Sequence, residues 1–149
     1  MNEKIIGTFL WGNANVQTFL TGTDLVREAL DCIQFANPYM PAGTAIHEWY
    51  SYTNYQANRD LPVLPFLYAG RKYRLEPQIE TVPPDTFLLE IRFFDRLEQL
   101  MERTVLYPPD YSFIYPKVGY YYTIRLTNAG CDQLTFHNFK LIEVNDNGK

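Results

Sequence analysis

The sequence predicts an all-β sandwich or barrel, a jelly-roll β-sandwich being the first choice, and three observations carry that prediction. Aromatic residues make up 16% of the 149 positions, twelve Tyr and ten Phe among them, and aromatic side chains favour pleated, half-buried surfaces. Several segments alternate apolar and polar residues with period two, as a strand with one buried face does. Proline-rich pieces such as Val82-Pro83-Pro84-Asp85 and Tyr107-Pro108-Pro109-Asp110 separate those segments; proline removes a ladder donor, so they fall outside central strands.

The elements follow in order. Thr44 opens a strand over 44–52, entered from the turn-rich Asn37-Pro38-Tyr39-Met40-Pro41-Ala42-Gly43. Alternation there puts Ile46, Tyr50 and Tyr52 on one face and His47 with Trp49 on the other. Tyr73, Leu75 and Ile79 share one side of the next strand, with Arg74, Glu76, Gln78 and Glu80 opposite. Phe87, Leu89, Ile91 and Phe93 form another apolar stripe, and Tyr120, Tyr122, Ile124 and Leu126 a third. After the turn signal Asn128-Ala129-Gly130, Leu134 and Phe136 start a stripe that Phe139 and Leu141 continue one step out of phase. A bulge near His137 or Asn138 restores the inward face.

Residues 97–106 admit two readings. Leu97, Leu100, Met101, Thr104 and Val105 lie at helical spacing. The alternative makes 95–98 a turn and 99–106 the return strand of a hairpin. The hairpin is preferred, because the preceding strand needs a partner and no helix cap is evident. One domain over 1–149 is expected, with a frayed polar tail over 145–149.

Bulk chemistry excludes several classes. The formal net charge is −4 with no run of Lys or Arg, which disfavours nucleic acid and stable attachment to an anionic membrane. Cys32 and Cys131 form neither a disulfide framework nor a metal-ligand spacing. No signal-peptide run or bilayer-length apolar stretch is present, so a soluble, cytoplasmic protein is expected.

Catalytic signatures are equally sparse. Ser51 and Ser112 sit in no Gly-x-Ser-x-Gly turn, and His47-Glu48 lacks the second histidine of a helical zinc site. Both histidines, His47 and His137, are expected to be surface or partly buried strand residues. No glycine cluster cradles a phosphate. Glu48, Glu90 and Asp95 are the conceivable members of a carboxylate pair, each expected instead to be a solvated or turn residue. No catalytic residue, metal or cofactor is expected.

The informative stretch is 37–59, where Trp49, Tyr50, Tyr52, Asn54, Tyr55, Gln56 and Arg59 follow in close order. Ring faces beside amides and a guanidinium suit a sugar, whose C–H face stacks while its hydroxyls are held. Tyr, Trp and Arg also dominate protein interfaces. Part of the cluster is equally well core, Trp49 above all. Tyr50, Tyr52, Asn54, Tyr55, Gln56 and Arg59 are the candidate binding residues, for glycan or partner.

The pattern Asn37-Pro38-x-Met40-Pro41-x-Gly43, with Ile46, Trp49, Asn54-Tyr55-Gln56 and Arg59, resembles a known family. Leu64-Pro65-x-Leu67, Gly70, Tyr73, Phe93-Phe94-Asp95-Arg96, Tyr115-Pro116 and Asn128-Ala129-Gly130 extend the likeness over nearly the whole chain. It is the third, smallest accessory secretory protein of the accessory Sec system of Gram-positive bacteria. The resemblance implies a β-sandwich like a carbohydrate-binding module. It implies a non-enzymatic subunit that joins two larger accessory secretory proteins in the cytoplasm and aids export of glycosylated serine-rich-repeat adhesins. It further implies self-association, and a homodimer through paired edge strands is expected outside the complex. Membrane association is then at most peripheral, through the export machinery. A stand-alone module recognising GlcNAc-type glycans is the alternative function, and a glycan-active enzyme is the third.

Overall fold

The computed structural model describes residues 2–10, 24–29, 32–36, 42–50, 64–65, 67–97, 99–106, 110–117 and 119–145. Ten strands and no helix occur among them. They are β1 (Asn2–Phe9), β2 (Asp24–Ala29), β3 (Cys32–Ala36), β4 (Ala45–Tyr50), β5 (Lys72–Val82), β6 (Phe87–Phe94), β7 (Leu100–Leu106), β8 (Ser112–Ile114), β9 (Tyr121–Asn128) and β10 (Gln133–Asn145). Every described pairing is antiparallel.

One sheet has the order β2-β3-β10-β5-β8, with β1 also on β10; the other has the order β4-β9-β6-β7. Consecutive strands change sheet at most connections from β3 onward, which wraps the chain around a shared core as the predicted sandwich requires. Strand β10 organises the larger sheet. Its first half pairs with β3, its second with β1, and its opposite edge with β5 along nearly the full length.

The expected change of phase in β10 is a register shift between Phe136 and Asn138. With that extra residue, Leu134, Phe136, Phe139 and Leu141 are all buried in one core. The expected hairpin is present too. β7 pairs back on β6, and Asp95 Oδ1 accepts the N–H groups of Leu97 (2.8 Å) and Gln99 (3.0 Å) to close the turn. Helical spacing in 97–106 misleads because β7 is exposed over most of its length, so no single face selects its apolar positions.

Three expectations are corrected. Ile46 joins Trp49 in the core rather than facing away from it. A register shift between Ala45 and His47 adds the residue that brings both inward. Residues 51–52 of the expected strand lie outside the described residues. Tyr120, expected on the inward stripe, precedes β9 and is 48% exposed. Asn145, placed in the expected tail, still pairs with Asn2; 146–149 lie outside the described residues.

The Asn128-Ala129-Gly130 turn is built from its own side chain. Asn128 is fully buried, and its Oδ1 accepts the N–H groups of Gly130 (2.9 Å) and Cys131 (2.8 Å). Gly130 adopts a φ of 109°, a region that strains any Cβ-bearing residue. The Asn128 carbonyl also accepts the Gly43 N–H at 2.7 Å, tying the β9–β10 turn to the entry of β4. Replacing Asn128 by Ala leaves the buried Cys131 N–H without an acceptor. We expect it to lower unfolding free energy by about 2 kcal/mol in urea titration.

Candidate functional site: the outer face of the four-stranded sheet

Of the six residues singled out for binding, Tyr50 is the last residue of β4, its backbone opposite Thr123 of β9. Tyr52, Asn54, Tyr55, Gln56 and Arg59 lie outside the described residues. The rest of β4 is settled. Trp49 is core: its indole stacks on Phe136 (centroids 5.4 Å apart), meets Phe139 edge-on at 4.9 Å and donates its N–H to the Leu10 carbonyl at 2.8 Å. His47, expected near the surface, is buried with its ring edge-on to Trp49 at 4.8 Å. It shares Trp49's face, as alternation sets it, opposite the core residue Leu126 of β9.

The outer face was not legible as a site. β9 is flanked on both sides, by β4 and β6, and the register sets Glu48, Arg125 and Glu90 in one row across the three strands. Glu48 is only 3% exposed, and its Oε1 accepts from Arg125 Nε (3.2 Å) and Nη2 (3.0 Å). Glu90 Oε2 lies 3.7 Å from Arg92 Nε and 3.6 Å from Arg103 Nη1. Both acids are therefore buried and charge-paired, not solvated as expected, because the strand order brings arginines beside them. A carboxylate committed to a guanidinium is poorly placed to shuttle protons, and Asp95, the third conceivable acid, closes a turn.

In and beside this row stand buried polar atoms that make no hydrogen bond among the described residues: Thr123 Oγ1, Thr127 Oγ1, Glu90 Oε2 and Arg92 Nε, the last two meeting at ion-pair distance only. Buried polar atoms seldom go unpaired. Their register places Thr123 opposite Arg92 and Thr127 opposite Leu88 on the same outer face. At one end of that face Phe94 stacks on Tyr121 (4.8 Å, 9° between planes), with the Arg92 guanidinium 5.7 Å from the Phe94 ring centre. An aromatic pair with a guanidinium beside it suits a ligand rich in hydroxyl groups.

Other places offer less. A groove of about 380 Å³ is lined by Leu75, Ile79, Phe87 and Tyr111 with Arg74, Glu76 and Asp85 at its rim. Arg74 is already engaged by Glu3 in a bidentate pair and by Glu76. Burial pushes the Tyr111 phenol up to about 12, which leaves it protonated and unsuited to base chemistry. Cys131 is buried and its thiol is pushed up by burial, away from the reactive range. Among the described residues no three His, Cys, Asp or Glu stand together to hold a metal, and no helix is long and apolar enough to cross a membrane.

The family model for accessory secretory protein 3 of the accessory Sec secretory system matches residues 18–143. The chain belongs to that family. The corresponding accessory Sec system protein of Streptococcus gordonii is 33% identical over 127 residues, 85% of this chain and 80% of that protein. A chain in the crystal structure of accessory secretory proteins 1, 2 and 3 of Streptococcus pneumoniae superposes with a TM-score of 0.85. It is 32% identical, and the match covers 93% of this chain and 96% of that one. A Clostridium thermocellum xylanase with a carbohydrate-binding module, solved with xylohexaose, matches at a TM-score of 0.52 and 11% identity over 95% of this chain and 29% of that one. That likeness concerns the fold alone.

In the structure, most of the described residues of the family-like motifs build the fold. Leu64 and Leu67 are core, and the Pro65 carbonyl between them accepts the buried Tyr122 hydroxyl at 2.7 Å. Gly70, with a φ of 79°, donates its N–H to the Tyr115 carbonyl, and the Tyr73 hydroxyl accepts the Tyr68 N–H at 2.9 Å. In the Phe93-Phe94-Asp95-Arg96 tetrad, Phe93 is core, Phe94 faces outward on Tyr121, Asp95 caps the turn and Arg96 lies 5.7 Å from the Tyr120 ring centre. The Arg125 row lay outside every motif. Its signal was an Arg and two Glu at polar positions of strands predicted to be half-buried, which alternation assigns to solvent.

Proposed function

We propose that this chain is a non-enzymatic cytoplasmic subunit of an accessory Sec export complex. In this reading it binds two larger accessory secretory proteins and aids export of glycosylated serine-rich-repeat adhesins. The observation that carries it is the superposition over 93% of the chain on a member of the Streptococcus pneumoniae assembly of accessory secretory proteins 1, 2 and 3. The arginine-bound state of Glu48 and Glu90 supports a subunit that binds rather than catalyses. Self-association outside the complex belongs to the same reading, through an edge of the six-stranded sheet at β2 or β8. Co-purification with the two larger proteins is the test. A stable three-component complex at micromolar concentration is expected, and persistent separation of the three would refute the reading.

A second reading rests on the Phe94–Tyr121 stack with the Arg92 guanidinium beside it. The outer face of the four-stranded sheet, with Tyr50, Tyr52, Asn54, Tyr55, Gln56 and Arg59 as further contacts, takes a GlcNAc-type glycan of the adhesin. Calorimetry with glycosylated repeat is then expected to give heat that Tyr121→Ala and Arg59→Ala each reduce. No heat from the folded chain would rule this contact out.

A further inference from the structure

We infer that the outer edge of β7, the last strand in the described order of the four-stranded sheet, is a strand-addition site for an extended segment of one of the larger accessory secretory proteins, presenting an acidic residue beside an apolar one. The inference rests on the complex-subunit reading, since that supplies the occupant.

β7 ends the order of the four-stranded sheet, and its described pairing is to β6. An antiparallel edge strand spends alternate N–H and C=O groups on its neighbour and turns the others outward, where they template another strand. Edges are ordinarily blunted by shortness, charge or bulges. β7 is seven residues long, and its register shift lies at the hairpin end, between Phe93 and Phe94 of β6. Its hairpin also exposes Leu97 (76%), Leu100 (45%), Met101 (37%) and Val105 (42%).

Charge chooses the occupant. On the outer face Arg103 lies opposite Arg92, and among the described ion pairs the carboxylate that both share is Glu90, 3.6 Å and 3.7 Å away. The Arg92 Nε makes no hydrogen bond among the described residues. The edge thus carries two arginines around one carboxylate at its centre, flanked two residues away on the same face by Val105, opposite Glu90; Met101 is the extra residue of the register shift. An incoming strand with an acid opposite Arg103 and an apolar residue opposite Val105 matches that row. A second copy of this chain does not. Antiparallel pairing about a two-fold axis sets one residue against itself, and the register using all seven positions sets Arg103 on Arg103. Moving the axis to the adjacent Glu102 sets Glu102 on Glu102, and like charges directly opposite oppose both registers. Moving it to Thr104 pairs five positions and leaves Arg103 opposite Val105, without an acid.

Hydrogen exchange on the full chain, alone and assembled with both larger proteins, tests the inference. Alternate amides of β7 are expected to slow at least tenfold on assembly. The exposed double variant Met101→Lys/Val105→Lys is expected to weaken assembly at least tenfold, while Ile114→Lys on the edge of β8 leaves it unchanged. Assembly with β7 amides unaltered overturns this site and spares the function. Failure of the three proteins to assemble overturns both. β7 protection that grows with concentration in the isolated chain, together with a dimer mass, assigns the edge to self-pairing and overturns the occupant.

Discussion

Arg125→Met is expected to cost about 3–5 kcal/mol of unfolding free energy, the range for breaking a buried ion pair by removing one partner. Arg125 donates from Nε and Nη2 to Glu48 and faces Glu90 across β9 and β6, so its loss takes the guanidinium from one buried carboxylate and removes a cation from beside another. The damage comes from the uncompensated charge and not from lost packing, because the methionine keeps most of the arginine stem. The double variant Glu48→Leu/Arg125→Met therefore regains most of the stability, as apolar replacements of buried pairs commonly do. Equilibrium urea unfolding of the two singles and the double forms the cycle. A loss below about 1 kcal/mol for Arg125→Met would match a water-screened surface pair and contradict a buried row.

Trp49→Ala is expected to cost about 3–5 kcal/mol, the range for removing a large buried aromatic. The indole is the joint between the sheets. It springs from β4 of the smaller sheet and packs on Phe136 and Phe139 of β10, on either side of the bulge in the larger one. Removal leaves a cavity bounded by two rings fixed on a central strand, where collapse is costly. Trp49→Phe separates the contributions. It keeps an aromatic ring against Phe136 and gives up the hydrogen bond to the Leu10 carbonyl, for a loss of about 1–2 kcal/mol. Denaturation followed by circular dichroism reads both variants without relying on the indole that is being removed.

Both predictions concern residues whose sequence reading was incomplete in different ways. Trp49 was legible as core from its type, yet alternation set it opposite Ile46, since a bulge at the start of β4 leaves no mark in the pattern. The bulge in β10 was legible because four strong apolar residues straddle it, and the inward face could be kept only by an added residue. Arg125 and Glu48 stand 77 positions apart, and nothing local distinguishes them from solvent-facing strand residues.

By itself the sequence determined the all-β class, the β6–β7 hairpin, the β10 phase change and the family, because alternation, turn chemistry and motif spacing are local properties of the chain. Tertiary structure alone decided which strands lie side by side. Alternation tells a side chain which face to take but not which neighbour it meets. Only the long-range pairing of β4, β9 and β6 gives Glu48 and Glu90 their arginines, and only the described strand order puts β7 at the end of that sheet.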